Sequence, residues 1–215
     1  MASAAGASRF SEKQFRSVCS ELQQPAVGGA NWELLVESMG ISIYRHIQST
    51  GHYEYKVFGV LETCSPDIVI NVYLDLNYRK NWDEFVKELY ARDCNGETVI
   101  YWEVQCPSPR FNRDYVFVQQ HRELEFKGQK VHVILAESTS APQFPEKSSA
   151  IRVKKFTQKL AVQSDGGRGS KVFMYYSDNL DCPVPDWICK WAAKSGFPTY
   201  LKNMVNACHN YPRRS

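Results

Sequence analysis

Several features that define common protein classes are missing from this chain of 215 residues. No run of about eighteen apolar residues suggests a membrane-spanning helix, and residues 1–10 carry neither the basic nor the apolar segment of a secretory signal. The seven cysteines form no C-x-x-C pair and are odd in number, which argues against a disulfide framework and a zinc site. We therefore expect free thiols in a soluble, cytoplasmic protein.

Neither sign of charge dominates the sequence. The 26 basic and 23 acidic residues give a net charge of +3 and are interspersed along the chain. A nucleic-acid-binding surface needs a concentrated basic patch, so we expect no nucleic-acid partner. The apolar content of 43% is enough for a sizeable core, and no internal repeat divides the chain. We expect one domain over residues 1–215.

Signatures of catalysis and of metal binding are also missing. The sequence has no G-x-S-x-G nucleophile elbow. His132 lies in an apolar run that Ser138 and Ser140 follow, which leaves a hydrolase or cyclase as an alternative, but no ordered triad is visible. The other histidines have no metal-ligand neighbours in sequence. We predict no enzyme activity and no cofactor.

What the sequence does contain is an apolar alternation of period two over much of its length. Ser11 and Gln14 form a capping-box pattern before an amphipathic helix, and Ser65-Pro66 begins a second helical segment, with serine as its cap. About eight strand-like runs follow one another, joined mostly by hairpins such as the turn at Asn95-Gly96. This order predicts an antiparallel sheet and the α+β class.

The last segment, residues 186–211, predicts a long amphipathic helix that closes over the sheet. Ile188, Trp191 and Ser195 share one face, and an apolar stripe resumes after the Gly-Phe-Pro sequence at 196–198. Because proline interrupts helical hydrogen bonding, the pattern predicts a break that acts as a hinge or kink.

Two neighbouring strand runs direct aromatic side chains toward the same side of the sheet. Trp102 lies in the first run, and Tyr115 lies in the second. One interpretation is an aromatic core, and the other is a binding cage; period two alone does not decide between them. The same alternation predicts that the interior is lined by Val57, Leu61, Ile100, Val104, Phe117 and Val133.

Many segments resemble the START lipid-transfer domains, over essentially the whole chain. The matching segments are SELQQPA, ISIYR, YEYKVFGVLE, YRKNWD, VKELY, CNGETV, YWEV, NRDYV, KVHVILA, SKVFMYY and WAAKSG. The resemblance implies a helix-grip fold, in which a curved antiparallel sheet of about nine strands surrounds the long C-terminal helix and encloses a lipid tunnel. It implies one phosphatidylcholine molecule as cargo, its transfer between membranes as the activity, and a monomer that touches the membrane surface transiently. Thioesterases are the protein partners that it implies. A lipid-sensing adaptor, whose cargo state regulates a protein partner, is the alternative function.

The resemblance also implies roles for particular residues. Carried over by motif, the contacts are a choline cage of Trp102 in YWEV, Tyr115 in NRDYV and Phe156 in VKKFTQ, a phosphate ligand Arg79 in YRKNWD, and further lipid contacts Tyr73 in NVYLD and Gln158 in KFTQ. Phe156 departs from the family pattern, which has tyrosine there. A phenyl ring keeps the π face but lacks the hydroxyl group. Phe156 also shares its parity with Arg152 and Lys154, so one strand over 151–164 would place charges beside the cage.

A route for lipid release follows from the same pattern. We expect the C-terminal helix to move as a gate, while Trp187, Trp191 and the lysines Lys190, Lys194 and Lys202 contact the bilayer interface.

Overall fold

One sheet forms the body of the protein. The computed structural model describes residues 9–29, 31–179 and 186–212. Within them, the strands are β1 Trp32–Ser38, β2 Ile41–Ile47, β3 Tyr53–Leu61, β4 Val86–Cys94, β5 Glu97–Val104, β6 Arg113–Phe126, β7 Gln129–Ser138, β8 Ile151–Arg152, β9 Phe156–Ser164 and β10 Ser170–Asp178. The helices are α1 Glu12–Gln23, α2 Pro66–Leu74, α3 Leu76–Trp82, α4 Asp186–Trp191 and α5 Phe197–His209, with a 3₁₀ turn at Pro109–Phe111 and a π-helical turn at Ala192–Gly196. None of the helices in these ranges is long and apolar enough to cross a bilayer.

The strands follow the order β1-β2-β3-β10-β9-β7-β6-β5-β4, and the neighbours in this order are antiparallel. The two-residue β8 lies off this path and pairs in parallel with β6. The predicted antiparallel sheet is therefore confirmed. Strand β1 is absent from the eight runs predicted from the sequence, because its register shifts between Leu34 and Val36 and this irregularity interrupts the alternation.

Helix α1 covers the outer face of the sheet. Ser11 Oγ accepts from the Gln14 N–H group and the Gln14 side chain accepts from the Ser11 N–H group, which confirms the predicted capping box. The buried side chains of α1 and the outward strand residues under it are Phe15, Val18, Cys19, Leu22, Val131, Val133, Leu135, Ala161 and Phe173. The predicted tunnel position of Val133 is therefore wrong, because β7 turns Ile134 and Ala136 toward the inner face instead.

The inner face is covered by α2, α3 and the C-terminal helix. Helix α2 begins at Pro66 as predicted, although the Ser65 side chain makes no capping hydrogen bond. The shared core consists of Val69, Ile70 and Val72 of α2, Leu201, Ala207 and Cys208 of α5, and Ile41, Leu61, Ile134, Leu160 and Val162 of the sheet, with Cys64 beside them.

The far end of α5 is fixed by polar contacts as well. The Tyr78 hydroxyl donates to the Ala207 carbonyl at 2.7 Å, and the Tyr211 hydroxyl donates to Asp75 Oδ2 at 2.9 Å. The C-terminal helix is therefore fastened to α3 and to the residue before it at the end that lies farthest from α4.

The helix is not interrupted at 196–198 as predicted, because it continues through these residues; the hinge stays a prediction. Gly196 has φ −64° and ψ −49°, and Phe197 has φ −67° and ψ −46°. The Phe197 N–H group donates to the Ala192 carbonyl, five residues earlier. Pro198 has no N–H group for a normal helical bond, and a π-helical turn just before it accommodates this loss. The wider turn changes the helical phase, so that Ser195 is exposed. The Trp187 side chain lies outside the described residues.

The predicted strand over 151–164 is two strands. β8 ends at Arg152, β9 begins at Phe156, and Val153 between them is 1% exposed. The interruption lets Phe156 pack with Tyr115 and Phe117 on the inner face of the sheet. Lys154 is exposed, and Arg152 pairs with Asp114 in a separate buried network. The charges that strict alternation placed beside the cage are therefore elsewhere.

A buried polar network closes the outer face behind the β5–β6 pair. Asp114, which is 0% exposed, accepts hydrogen bonds from Arg152 Nε at 2.8 Å, Arg152 Nη2 at 3.2 Å and the Tyr101 hydroxyl at 2.8 Å. Arg152 Nη1 also donates to the Phe144 carbonyl, which fixes the segment between β7 and β8. Burial and the neighbouring carboxylates of Asp114 and Glu103 raise the pKa of Tyr101, so this hydroxyl stays a neutral donor.

We expect Asp114→Ala to lower the free energy of unfolding by about 3 to 5 kcal/mol, because it leaves the buried Arg152 guanidinium without a counter-charge. Urea unfolding at neutral pH measures the change. Glu88→Gln is the matched control, since Glu88 binds Lys147 at 3.0 Å on the surface and its loss should cost less than about 1 kcal/mol. Equal effects of the two substitutions would contradict this account.

Candidate functional site

A cavity of about 800 Å³ lies between the inner face of the sheet and the C-terminal helix. Its walls are contributed by the strands (Leu35, Ile43, Arg45, Tyr53, Tyr55, Trp102, Val104, Arg113, Tyr115, Tyr176 and Asp178), by the β2–β3 turn (Thr50, Gly51 and His52) and by the helical segment (Ile188, Cys189, Ala192, Ala193 and Phe197). A volume of this size lies in the upper range of pockets for small molecules and cofactors.

The pairing of β5 with β6 brings two of the predicted residues together on the cavity wall. Trp102 and Tyr115 are directly opposite each other in the ladder, and their rings stack with centroids 4.6 Å apart and an angle of 25°. At this separation the two rings are in contact, so no cation fits between them. The faces available to a ligand are those that border the cavity.

Phe156 lies beside this pair, but it does not line the large cavity. Its ring is edge-on to Tyr115 at 5.0 Å and lies 5.6 Å from the ring of Tyr176, and the residue is 3% exposed. It lines a smaller adjoining pocket of about 190 Å³, which shares Thr50, His52 and Asp178 with the large cavity. The structure therefore brings all three predicted cage residues into one cluster, with Phe156 packed against the other rings.

Arg79 places a buried positive charge against the Trp102 ring. Its Cζ atom lies 5.1 Å from the centroid of Trp102 and 5.5 Å from that of Tyr73, and its Nε atom donates to Asp83 Oδ2 at 3.1 Å. Burial alone would lower the pKa of Arg79, but Tyr200, Asp83 and Tyr73 outweigh burial and raise it. Burial in turn raises the pKa of Tyr73. The guanidinium is therefore charged and lies next to a neutral phenol.

Gln158 lies on β9, directly opposite Tyr176 of β10. Its Nε2 atom donates to the thioether sulfur of Met174 at 3.3 Å. Because a thioether is a weak acceptor, the amide loses little by exchanging this bond for one to a ligand oxygen. Tyr73, Arg79 and Gln158 do not line the large cavity; Arg79 lies against the Trp102 ring, which does.

Sequence reasoning missed a polar chain on the cavity wall. The hydroxyl groups of Tyr115 and Tyr176 are 2.7 Å apart, Tyr176 donates to Asp178 Oδ2 at 2.6 Å, and Arg113 Nη1 lies 3.9 Å from the same oxygen. Burial raises the pKa of both tyrosines, so their hydroxyl groups stay protonated at neutral pH. The alternation in KVFMYYSDN, which puts Tyr176 and Asp178 on one side, and that in RDYV, which puts Arg113 with Tyr115, were the available signals.

The residues of the hydrolase alternative belong to separate networks. The two ring nitrogens of His132 contact Asp67 Oδ1 at 2.9 Å and His121 Nε2 at 3.0 Å. Ser138 Oγ, six residues further along β7, accepts from the Phe156 N–H group at 3.1 Å. In the described part of the chain, no group of three or more histidine, cysteine, aspartate or glutamate side chains could hold a metal ion.

Comparisons with known proteins agree with this architecture. Residues 12–214 match the family model described as START domain. The chain is 64% identical over 209 residues to a bovine protein named phosphatidylcholine transfer protein, and 58% identical over 210 residues to the human protein of the same name. Each alignment covers 97% of this chain and 98% of the relative.

Solved structures show the same fold at low sequence identity. Human STARD10 superposes with a TM-score of 0.75 at 21% identity, over 98% of this chain and 84% of that one. Human StAR-related lipid transfer protein 5 superposes with a TM-score of 0.71 at 14% identity, over 93% of this chain and 96% of that one. The family match and the fold give one conclusion: this chain belongs to the START domain family.

Proposed function

We propose that this protein binds one phosphatidylcholine molecule in its internal cavity and transfers it between membranes, as a carrier and without catalysis. The observation that carries the proposal is the stacked Trp102–Tyr115 pair on the cavity wall, with the Arg79 guanidinium 5.1 Å from the Trp102 ring. Relatives that are 64% and 58% identical over nearly the whole chain bear the name phosphatidylcholine transfer protein, which supports the same cargo here.

The choline group binds against the aromatic cluster. A trimethylammonium cannot donate a conventional hydrogen bond, and an aromatic face attracts it by about 0.5 to 2 kcal/mol, depending on how dry the site is. Tyr115 stacks on the Trp102 ring and Arg79 lies 5.1 Å from its centroid, so a shift of the Trp102 ring frees an aromatic face for this contact, and Phe156 closes the cluster behind Tyr115. Ammonium groups of phosphatidylethanolamine and phosphatidylserine need hydrogen-bond acceptors, and an aromatic wall leaves their donors unmet.

The phosphate binds to Arg79 and its neighbours. The planar guanidinium presents several donors, of which Nε is used by Asp83, so the remaining nitrogens serve a phosphate oxygen. Tyr73 supplies a neutral hydroxyl donor beside it, and Gln158 exchanges its bond to Met174 for one to the lipid. The stacked Trp102 ring lies between Arg79 and the cavity, so a shift of this ring accompanies binding.

The acyl chains supply most of the binding energy. At about 0.8 kcal/mol per buried methylene, two chains of about fifteen carbons lose on the order of 25 kcal/mol if they move into water. The carrier must therefore open at a bilayer. Because α5 is fastened at Ala207 and, just beyond its end, at Tyr211, the part of the C-terminal helix that moves is α4 with the π-helical turn, which lines the cavity through Ala192 and Ala193.

Free cysteines and exposed lysines support a cytoplasmic protein that contacts membranes. We place it in the cytoplasm, as a monomer that forms one START domain over residues 1–215. Six described cysteines are free thiols, which suits a reducing compartment. The exposed Lys190, Lys194 and Lys202 on the C-terminal helix suit contact with an anionic membrane surface. The resemblance to the family implies thioesterases as protein partners, and this stays a prediction.

Transfer between vesicles tests the proposed function. Purified protein should move phosphatidylcholine between vesicles much faster than phosphatidylethanolamine or phosphatidylserine, and mass spectrometry should find the transferred lipid unchanged in mass. Protein purified from cells should carry a phosphatidylcholine adduct in native mass spectrometry. A change in the mass of the transferred lipid would indicate an enzyme. A sterol or ceramide adduct in native mass spectrometry would refute phosphatidylcholine as the cargo. Stoichiometric binding without transfer would favour the lipid-sensing adaptor.

Replacing Trp102 by leucine should reduce the preference for phosphatidylcholine over phosphatidylethanolamine by roughly 2- to 30-fold, because it removes one aromatic face and keeps an apolar side chain. Competitive vesicle transfer measures the ratio. The matched control is Tyr44→Leu, because Tyr44 stacks on Phe58 at 5.4 Å and does not line the cavity. An unchanged ratio in Trp102→Leu would contradict the cage.

Arg79→Lys should weaken phosphatidylcholine binding by roughly 10- to 150-fold, because lysine keeps the charge beside Asp83 and loses the planar fork. Diacylglycerol, which has no phosphate, should bind the variant and the native protein alike. The control is Lys80→Met, an exposed neighbour on the same helix. Equal losses for the two lipids would assign Arg79 a structural role instead.

A further inference from the structure

Some hydrogen-bond donors of the residues around the cavity are unsatisfied. Three residues that line it each have a buried donor atom without a hydrogen-bond partner in the described part of the protein: Trp102 Nε1, Arg45 Nε and Arg113 Nε. A buried donor without a partner costs free energy, so donors of this kind are normally satisfied by water or by a ligand. A ligand suited to this wall therefore brings acceptor oxygens.

Arg113 is the donor best placed to meet them. In the β5–β6 ladder, Arg113 is opposite Val104 and Tyr115 is opposite Trp102, and all four residues line the cavity. Arg113 thus precedes Tyr115 by two residues, and both side chains point to the same face of β6. The stacked pair and Arg113 form one continuous strip of wall.

Arg113 interacts with the Cys106 thiol, whose pKa burial raises and Arg113 in part lowers again, but the Nε atom of Arg113 has no hydrogen-bond partner among the described residues. Its ion pair with Asp178 is long, at 3.9 Å, and the same carboxylate oxygen already accepts from the Tyr176 hydroxyl at 2.6 Å. Arg45, in contrast, donates to Glu33 at 3.3 Å and stacks on the Tyr53 ring at 4.3 Å. Arg79 comes from α3 and is bound by Asp83. Arg113 therefore supplies a guanidinium separate from that of Arg79, and unlike Arg79 it lines the cavity.

We propose that Arg113 is a further ligand-binding residue, which donates from Nε and a terminal nitrogen to an acceptor oxygen of the bound phospholipid. This inference rests on the proposed function. The oxygen belongs either to the phosphate or to an ester carbonyl, since both are strong acceptors within reach of a head group that is bound at the Trp102–Tyr115 strip. The charged hydrogen bond that Arg113 supplies favours a phospholipid over an apolar guest of equal size.

The test uses dihexanoylphosphatidylcholine and its diether analogue, titrated calorimetrically into the full chain. Arg113→Met should weaken binding of the diester lipid by roughly 10- to 150-fold, as expected for a lost hydrogen bond to a charged group. Arg113→Lys should lose less, because the charge remains. Arg110→Met is the matched control, since Arg110 is exposed and its guanidinium lies over Phe111 at 4.8 Å.

The two lipids identify the oxygen. A loss for both lipids assigns the contact to the phosphate, and a loss confined to the diester assigns it to an ester carbonyl; either result supports the proposal. Unchanged affinity of Arg113→Met for both lipids overturns it. The double variant R113M/D178N removes both charges, and a return to native affinity would show that Arg113 merely balances Asp178, which also overturns the proposal. If the native protein binds neither lipid, it is the proposed function that fails.

Discussion

The pairing of β5 with β6 is the interaction on which the rest of the site depends. It sets Trp102 against Tyr115 at 4.6 Å and puts Arg113 on the same strip of wall. Three neighbouring residues are placed against that strip: Arg79 lies against the Trp102 ring, Phe156 packs on Tyr115, and the Tyr176 hydroxyl bonds to that of Tyr115. A shift of one residue in this register would turn the aromatic side chains to the other face of the sheet.

The outer face of the same two strands explains how the register is held. Tyr101 and Asp114, the neighbours of Trp102 and Tyr115 in sequence, point outward and bond to each other at 2.8 Å. Arg152 then binds Asp114 through two nitrogens. It also donates to the Phe144 and Pro145 carbonyls, which fixes Phe144 over the Tyr101 ring, with the two rings stacked at 5.7 Å. One face of the pair is therefore a closed polar and aromatic network, and the other is left open to a ligand. Rigid support behind a binding surface limits the conformational entropy that is lost when a ligand binds.

Alternation along the strands was enough to predict the sheet and the shared direction of Trp102 and Tyr115. In β5 and β6 successive side chains do point to opposite faces: Trp102 and Tyr115 point inward, and their neighbours Tyr101 and Asp114 point outward. It failed where backbone geometry departs from period two. The register shift at Leu34 hid β1, and the interruption before Phe156 made that residue look as if it lay among charges. The π-helical turn before Pro198 preserved a helix that the sequence predicts to break. Asp178 and Tyr176 were missed for another reason, since their roles depend on strand β10 lying where Arg113 and Tyr115 can reach them.

Affinity and selection come from different parts of the cavity. The acyl chains contribute on the order of 25 kcal/mol, but every diacyl phospholipid carries the same chains, so this term cancels when two head groups compete. In the proposed complex the phosphate and ester oxygens that the arginines bind are also common to these lipids, so discrimination between head groups is left to the aromatic faces, each of which contributes about 0.5 to 2 kcal/mol. Changes of Trp102 and Phe156 should therefore alter which phospholipid is carried more than changes in the apolar wall do, whereas changes of Arg113 should alter the preference for phospholipids over apolar guests. An apolar replacement in the wall changes the binding of all these lipids by nearly the same amount.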